Sequence, residues 1–314
     1  MLINPYYLQV ASFILINILL GLSIYITLST GQLSLGNAGF MSIGAFTTAL
    51  LTTKLGLPIF IGVLAGTLLA GLIGLLIGLP TLRLQGVYLA ICTLGFGEVV
   101  RVLFINWESL TNGAVGIAGI PHLGRTILAS LQKSGFSPES LGLKNNEFIS
   151  LSVFSLLLVI TILVVFFFWR LDHSRVGRAF HSIRMDEKAS ESMGIDITYY
   201  KVLTFTQGAL LAGFAGTLFA HVTGYISPAD FTYHRAVEIL VFAVFGGSEI
   251  IWGPIFGATF LTMMPELLRA LSEYRYIIYG IVLVIMMVFR PQGFIDAQLI
   301  DRIMGRKRKE NDAA

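Results

Sequence analysis

Two groups of charged residues stand out from a chain that is otherwise apolar. Glu98 and Arg101 lie three residues apart within the run Val87 to Ile105, a spacing that puts both side chains on one face of a helix. A lone charge near the centre of a bilayer costs on the order of 3 kcal/mol on insertion scales. The carboxylate is therefore expected to be neutralised by Arg101 or to border a polar passage. The second group is the stretch Ser174 to Lys201, SRVGRAFHSIRMDEKASESMGIDITYYK, the longest charged and polar segment between two long apolar runs. Within it Met185, Ala189 and Met193 recur every fourth residue, Asp186 and Glu187 favour the positive end of a helix dipole, and Gly194 is placed to end the helix. Met185 to Gly194 is thus expected to form one short amphipathic helix of about two to three turns, lying across the mouth of the protein. Its apolar stripe suits a groove on a partner.

Other kinds of chemistry are excluded by what is missing. No G-x-x-x-x-G-K-[ST] loop is present to cradle nucleotide phosphates on backbone N–H groups, and no H-E-x-x-H pair to hold zinc. The chain is not expected to hydrolyse ATP itself, and no catalytic residue is assigned. His122, His173, His181, His221 and His234 have no close ligand spacing, so neither a metal nor a cofactor is expected. Cys92 is the single cysteine, which rules out an internal disulfide or a thiolate cluster.

The elements that must position these residues are membrane helices. Of 314 residues, 55% are hydrophobic and 12% charged, and the mean hydropathy is +0.80. So little polar surface cannot cover a soluble fold of this size. The expected class is all-α, a single polytopic transmembrane domain over residues 1–314 with about eight to ten spans, since a span needs roughly 20 apolar residues. Clear runs are Leu8 to Leu28, Leu57 to Leu79, Val87 to Ile105, Phe148 to Trp169, Val202 to His221, Val237 to Trp252, Pro254 to Leu271 and Tyr276 to Phe289. The first is read as a permanent anchor, because no basic segment precedes it as in a signal peptide. Leu35 to Leu51 is ambiguous: Gly36, Asn37 and Gly39 at its start fit either a span or a broken segment, which lipid tolerates only where protein or a water-filled cavity covers the backbone. Small residues recur every fourth position at Gly62, Gly66, Ala70, Gly74 and Gly78, and again at Gly208, Ala212, Gly216, Ala220 and Gly224. Such stripes let helix backbones approach closely, and two of them raise the possibility of an internal pseudo-repeat.

Charge sets the orientation. Arg175, Arg178, Arg184, Lys188 and Lys201 cluster in the loop 171–201 with Arg170 just before it, and Arg306, Lys307, Arg308 and Lys309 in the tail 290–314. Positive loops stay cytoplasmic, which puts both inside and the long 106–147 loop outside. The tail could also meet anionic lipid. The net charge of +3 is accounted for by these orientation signals, and no nucleic-acid partner is expected.

Several segments together resemble the LivM-type permease subunits of bacterial branched-chain amino acid ABC transporters. They are STGQLSLGNAGFMSIGAFTTA from Ser29, RLQGVYLAICTLGFGEVVRVLFINW from Arg83, the TNG and GIAGIP segments, the Ser174 to Lys201 stretch, GGSEIIWGPIFGA, and the closing IYG and FRPQG. The likeness runs from about Gly21 to Gly293. It implies a permease in the bacterial cytoplasmic (inner) membrane that imports amino acids beside a homologous second permease, two ATPase subunits and an extracytoplasmic binding protein. It also implies that an EAA-like loop docks on the ATPase through Arg184, Met185, Asp186, Glu187, Ala189, Glu191, Met193 and Gly194. Ser192 stands where that loop usually has alanine, and Glu249 and Ile250 where small residues are common. Gln32, Asn37, Thr93 and Glu98 are candidates for the translocation path. One rival reading keeps the machinery and changes the cargo to urea or short amides. Another is a stand-alone ion-coupled transporter using Glu98 or Glu238.

Overall fold

In the computed structural model of the protein the described residues are 4–81, 84, 86–133, 144–268, 280, 281, 284, 293 and 294. Most of the expected span Tyr276 to Phe289, the basic tail, Arg83 and part of the 106–147 loop lie outside them. Among the described residues five helices are long and apolar enough to cross a membrane: α1 (Pro5–Leu28), α3 (Ile59–Thr81), α4 (Val87–Asn106), α7 (Asn145–Asp172) and α10 (Ile197–Thr223). Three shorter apolar helices join them, α2 (Asn37–Thr53), α11 (Tyr233–Gly246) and α12 (Trp252–Leu267). Polar connections carry the short helices α5 (Glu108–Thr111), α6 (Leu123–Lys133), α8 (Arg175–Met185) and α9 (Glu187–Ser192).

Helices α1 and α10 are buried over most of their length and form the centre, with α2 beside them. Helices α3, α4 and α7 expose most of their surface, as spans bordering lipid or another subunit must. The start of α1 is set by Asn4, whose side chain accepts the Tyr6 N–H at 3.1 Å, and by Pro5, which needs no donor there. The small stripe on α3 faces α2 and α10: a Cβ at Gly66 would sit 2.7 Å from the Gly44 carbonyl oxygen and 2.8 Å from Thr217 Cγ2. Any side chain at Gly44 would overlap the Gly213 backbone. The α10 stripe points the other way, Gly208 toward Ser23 of α1 and Gly216 toward the Met41 backbone of α2. Backbone contact in place of side-chain interdigitation is what small residues provide in lipid.

The ambiguity at Leu35 to Leu51 resolves into a break followed by a buried helix. Residues 29–36 are not helical, and α2, of 17 residues, rises only about 26 Å, less than a hydrocarbon core of about 30 Å. The run Val237 to Trp252 also divides, α11 ending at Gly246 and α12 opening at Trp252. Opposite the basic face, the connections form a cap. Strand β1 (Ile117–Ala118) pairs antiparallel with β2 (Tyr225–Ile226), Ile117 opposite Ile226. His221 Nδ1 donates to the Pro121 carbonyl oxygen at 2.9 Å, leaving Nε2 to accept from the Thr48 hydroxyl at 2.8 Å.

Candidate functional site

The basic face is built from the end of α7, the helices α8 and α9, and the start of α10. Ser174 begins α8: its Oγ accepts from Val176 N–H at 3.1 Å and Gly177 N–H at 3.3 Å. Helix α8 buries Ala179, Phe180 and Ile183, and Phe180 meets the Tyr200 ring edge-on at 5.9 Å. His181 Nε2 lies 2.8 Å from Asp172 Oδ1, which also accepts from Tyr25 at 3.4 Å. These contacts hold α8 to the ends of α1, α7 and α10.

The single helix expected from Met185 to Gly194 is instead two. Helix α8 ends at Met185, and Asp186 turns to an extended conformation (φ −155°, ψ 111°) to cap α9, accepting the Ala189 N–H at 3.0 Å. Met185 therefore shares no helix with Ala189 or Met193, and α9 has only six residues. The break is fixed by bonds across it: Ser190 Oγ donates to the Asp186 carbonyl at 2.8 Å and lies 2.8 Å from Ser182 Oγ. Gly194 ends the element with φ +82°. The outward surface keeps an apolar content all the same. Met185 and Met193 are 88% and 85% exposed, and flank exposed Lys188, Ala189, Glu191 and Ser192. Two nearly bare methionines are flexible apolar groups without a cover among the described residues.

Two ties join this outward surface to the bundle. Lys201 Nζ donates to Glu187 Oε1 at 2.6 Å, with the Lys201 side chain 8% exposed and that of Glu187 38%. Arg184 Nη1 donates to the Ser248 carbonyl oxygen at 2.9 Å and Nη2 to Ser248 Oγ at 3.3 Å. Neither tie is readable from spacing.

The polar residues singled out for a path fall into two kinds. Gln32, Asn37 and Thr93 are buried and brace the break between α1 and α2. Asn37 Nδ2 donates to Ser23 Oγ at 2.6 Å, Thr204 Oγ1 donates to Gln32 Oε1 at 3.2 Å, and Thr93 Oγ1 accepts the Leu35 N–H at 2.9 Å. Glu98 is different. Its carboxylate accepts from Arg101 Nε at 2.7 Å and, through Oε1, from the backbone N–H of Tyr233 at 3.1 Å, where α11 begins. A helix N-terminus and a guanidinium share one carboxylate there, yet about a third of each charged side chain stays open. Glu238 is paired with Arg235 at 2.6 Å, and Arg235 also donates to Asn17 at 2.6 Å.

His122 lies in the cap, just before α6. His122 titrates below its ordinary range, chiefly because it is desolvated and secondarily because Arg125 is near. Its Nδ1 accepts the Gly124 N–H at 3.2 Å, a role only the neutral ring can fill.

A bundle of apolar helices with broken segments inside and a pinned, outward-facing loop on one face is the architecture of a multi-pass membrane permease. The model of the family described as "Branched-chain amino acid transport system / permease component" matches residues 6–287, and the chain belongs to that family. It is 38% identical over 296 residues to the high-affinity branched-chain amino acid transport system permease protein LivM of Salmonella typhimurium (strain LT2), a match covering 91% of this chain and 69% of the relative. The LivM protein of Escherichia coli (strain K12) is similar to the same extent. The permease protein LivH of Salmonella typhimurium is 26% identical over 65% of this chain and 63% of its own length. No solved structure matches.

Proposed function

We propose that the chain is the membrane subunit of an ATP-driven importer of branched-chain amino acids in the bacterial cytoplasmic membrane. It works beside a homologous second permease, two ATPase subunits and an extracytoplasmic binding protein. The observation that carries this reading is the pair of bare methionines, Met185 at the end of α8 and Met193 just after α9, on a surface tied to the bundle by Lys201 and Arg184. A surface so apolar, on the face that positive charge assigns to the cytoplasm, fits a groove on an ATPase. ATP-driven closure of the ATPases then moves α9, and the spans attached to it tilt so that a path opens alternately to each side.

Helix α4 is the side offered to the second permease. Its outer surface mixes large apolar side chains such as Tyr88, Ile91 and Val99 with exposed Cys92 and Gly95, and Glu98 and Arg101 are part-open in the middle of the span. A charged pair so placed is costly against lipid and suits a polar passage between two subunits. Gln32, Asn37 and Thr93 support this reading as the frame that keeps the neighbouring broken backbone in position. The cap and α6, at the opposite end of the bundle, would receive the binding protein.

The test is reconstitution in proteoliposomes. With the second permease, ATPases and binding protein, leucine is expected to accumulate only with ATP, and the chain alone is expected to move nothing uphill. Uphill transport by the chain alone on a proton or sodium gradient would overturn the reading. Urea displacing leucine as the accumulated solute would keep the machine and change the cargo.

A further inference from the structure

The turn between α11 and α12 is built from backbone-to-backbone contacts that leave it little freedom. A Cβ at Gly246 would overlap the Gly253 carbonyl, Gly247 has φ 114° and ψ 117°, and Gly293 presses on Gly247 where the Phe294 N–H donates to the Phe245 carbonyl at 2.9 Å. Residues 245–253 and 293–294 therefore form one stiff knot. Helices α11 and α12, of 14 and 16 residues, rise roughly 21 and 24 Å, so neither crosses a core of about 30 Å alone. Irregular backbone at such depth needs protein or water over it.

Arg184 reaches this knot from the coupling surface. It stands in the last turn of α8, two residues before Asp186 caps α9, and grips Ser248 by both its carbonyl and its hydroxyl. The guanidinium is a rigid fork. Any displacement of α9 arrives at Arg184 within two residues and is handed to α11 and α12 together, because the knot moves as one body. Glu187 and Lys201 hand the same displacement to α10.

We propose that Arg184 is a positioning residue for transport, a rigid strap that carries motion of the coupling loop to the α11–α12 turn. The proposal rests on the ATP-driven reading above. A latch that must let go in each cycle would give the opposite result in the test that follows.

The test uses the full reconstituted complex and measures leucine moved per ATP hydrolysed. R184A is expected to keep hydrolysing ATP while transport per ATP falls about tenfold, equivalent to about 1.4 kcal/mol and in the range of one hydrogen bond to a charged group. R184K, which keeps the charge and loses the fork, should fall between R184A and the wild type; it carries the test if R184A does not accumulate. In a C92S background, R184C/S248C joined by a short bifunctional thiol reagent should recover transport per ATP over the unjoined double variant. An unchanged ratio in R184A or R184K, or transport blocked by the cross-link, overturns the strap and leaves the ATP-driven reading standing. Absence of ATP-driven uptake by the wild-type complex removes both.

Discussion

Removing Glu187 should cost far more than removing Lys201, although the two form one ion pair. The Lys201 side chain is 8% exposed and that of Glu187 38%. Substituting Glu187 by alanine leaves a buried ammonium without its partner at 2.6 Å. Breaking a fully buried pair costs about 3–5 kcal/mol, and an exposed pair is worth about 0–1 kcal/mol. With one partner buried and the other wet, Glu187→Ala is expected to weaken the hold of α9 on α10 by about 1–3 kcal/mol, a factor of roughly 5–150. Lys201→Met exchanges the buried cation for an apolar side chain of similar length and leaves a carboxylate that water can reach, so it should cost less than about 1 kcal/mol. The double variant should resemble Lys201→Met alone, a non-additivity that identifies the buried charge as the source of the cost. Amide hydrogen exchange over residues 186–196 of the chain in nanodiscs reads the opening of α9 directly. Equal protection loss in the two single variants, with simple addition in the double, would refute the reasoning, because it would mean that the pair is a surface contact.

Gly216→Val drives a side chain into the Met41 backbone and should lower stability by about 1–3 kcal/mol or more, read as a drop in thermal midpoint in detergent. Gly95→Trp is the contrast: nothing lies within 4 Å of a Cβ there, so the isolated chain should melt unchanged while co-purification with the second permease is lost. Cys92, exposed on the same helix, should react with a membrane-permeant maleimide in the chain alone and be protected in the assembled complex. His122 is held neutral, below its ordinary value of 6.5. Its contribution is full above that value and is lost as the pH falls below it toward the depressed value. Faster exchange of the Gly124 amide at pH 5 than at pH 7.5, beyond the intrinsic pH effect on exchange and absent in His122→Phe, checks this.

Much of the frame was legible because lipid imposes simple rules. Long apolar runs became α1, α3, α4, α7 and α10, and the every-fourth glycines of α3 found α2 and α10 because only small residues permit such contact. Asp186 was readable as a helix start, and the structure uses it as one. The interruption it makes was not readable. A pattern of Met185, Ala189 and Met193 is satisfied by one continuous helix, and what breaks it is a bond between Ser182 and Ser190 and the pull of Lys201 on Glu187, neither of which has a periodic signature. The same holds for Glu98. Arg101 is announced by its spacing, whereas the Tyr233 N–H comes from 135 residues away.

The division has a physical reason that bears on mechanism. In a bilayer the hydrophobic effect does not draw helices together, so the polar contacts and small-residue contacts decide how elements pair. Contacts between small residues are spread along α3 and α10 and resist sliding over many residues at once. The polar ties at helix ends and breaks are local, among them Lys201 to Glu187, Arg184 to Ser248, Thr93 to Leu35 and Glu98 to Tyr233. Each joins a helix end or a break to a different element, and each can be altered by one side chain. A protein that must keep its bundle intact while its ends shift would need this arrangement, with continuous packing in the α1–α2–α3–α10 body and single directed bonds where motion enters and leaves. Thus Gly216 variants are expected to destabilise the fold, and Arg184 variants to keep the fold and lose the coupling.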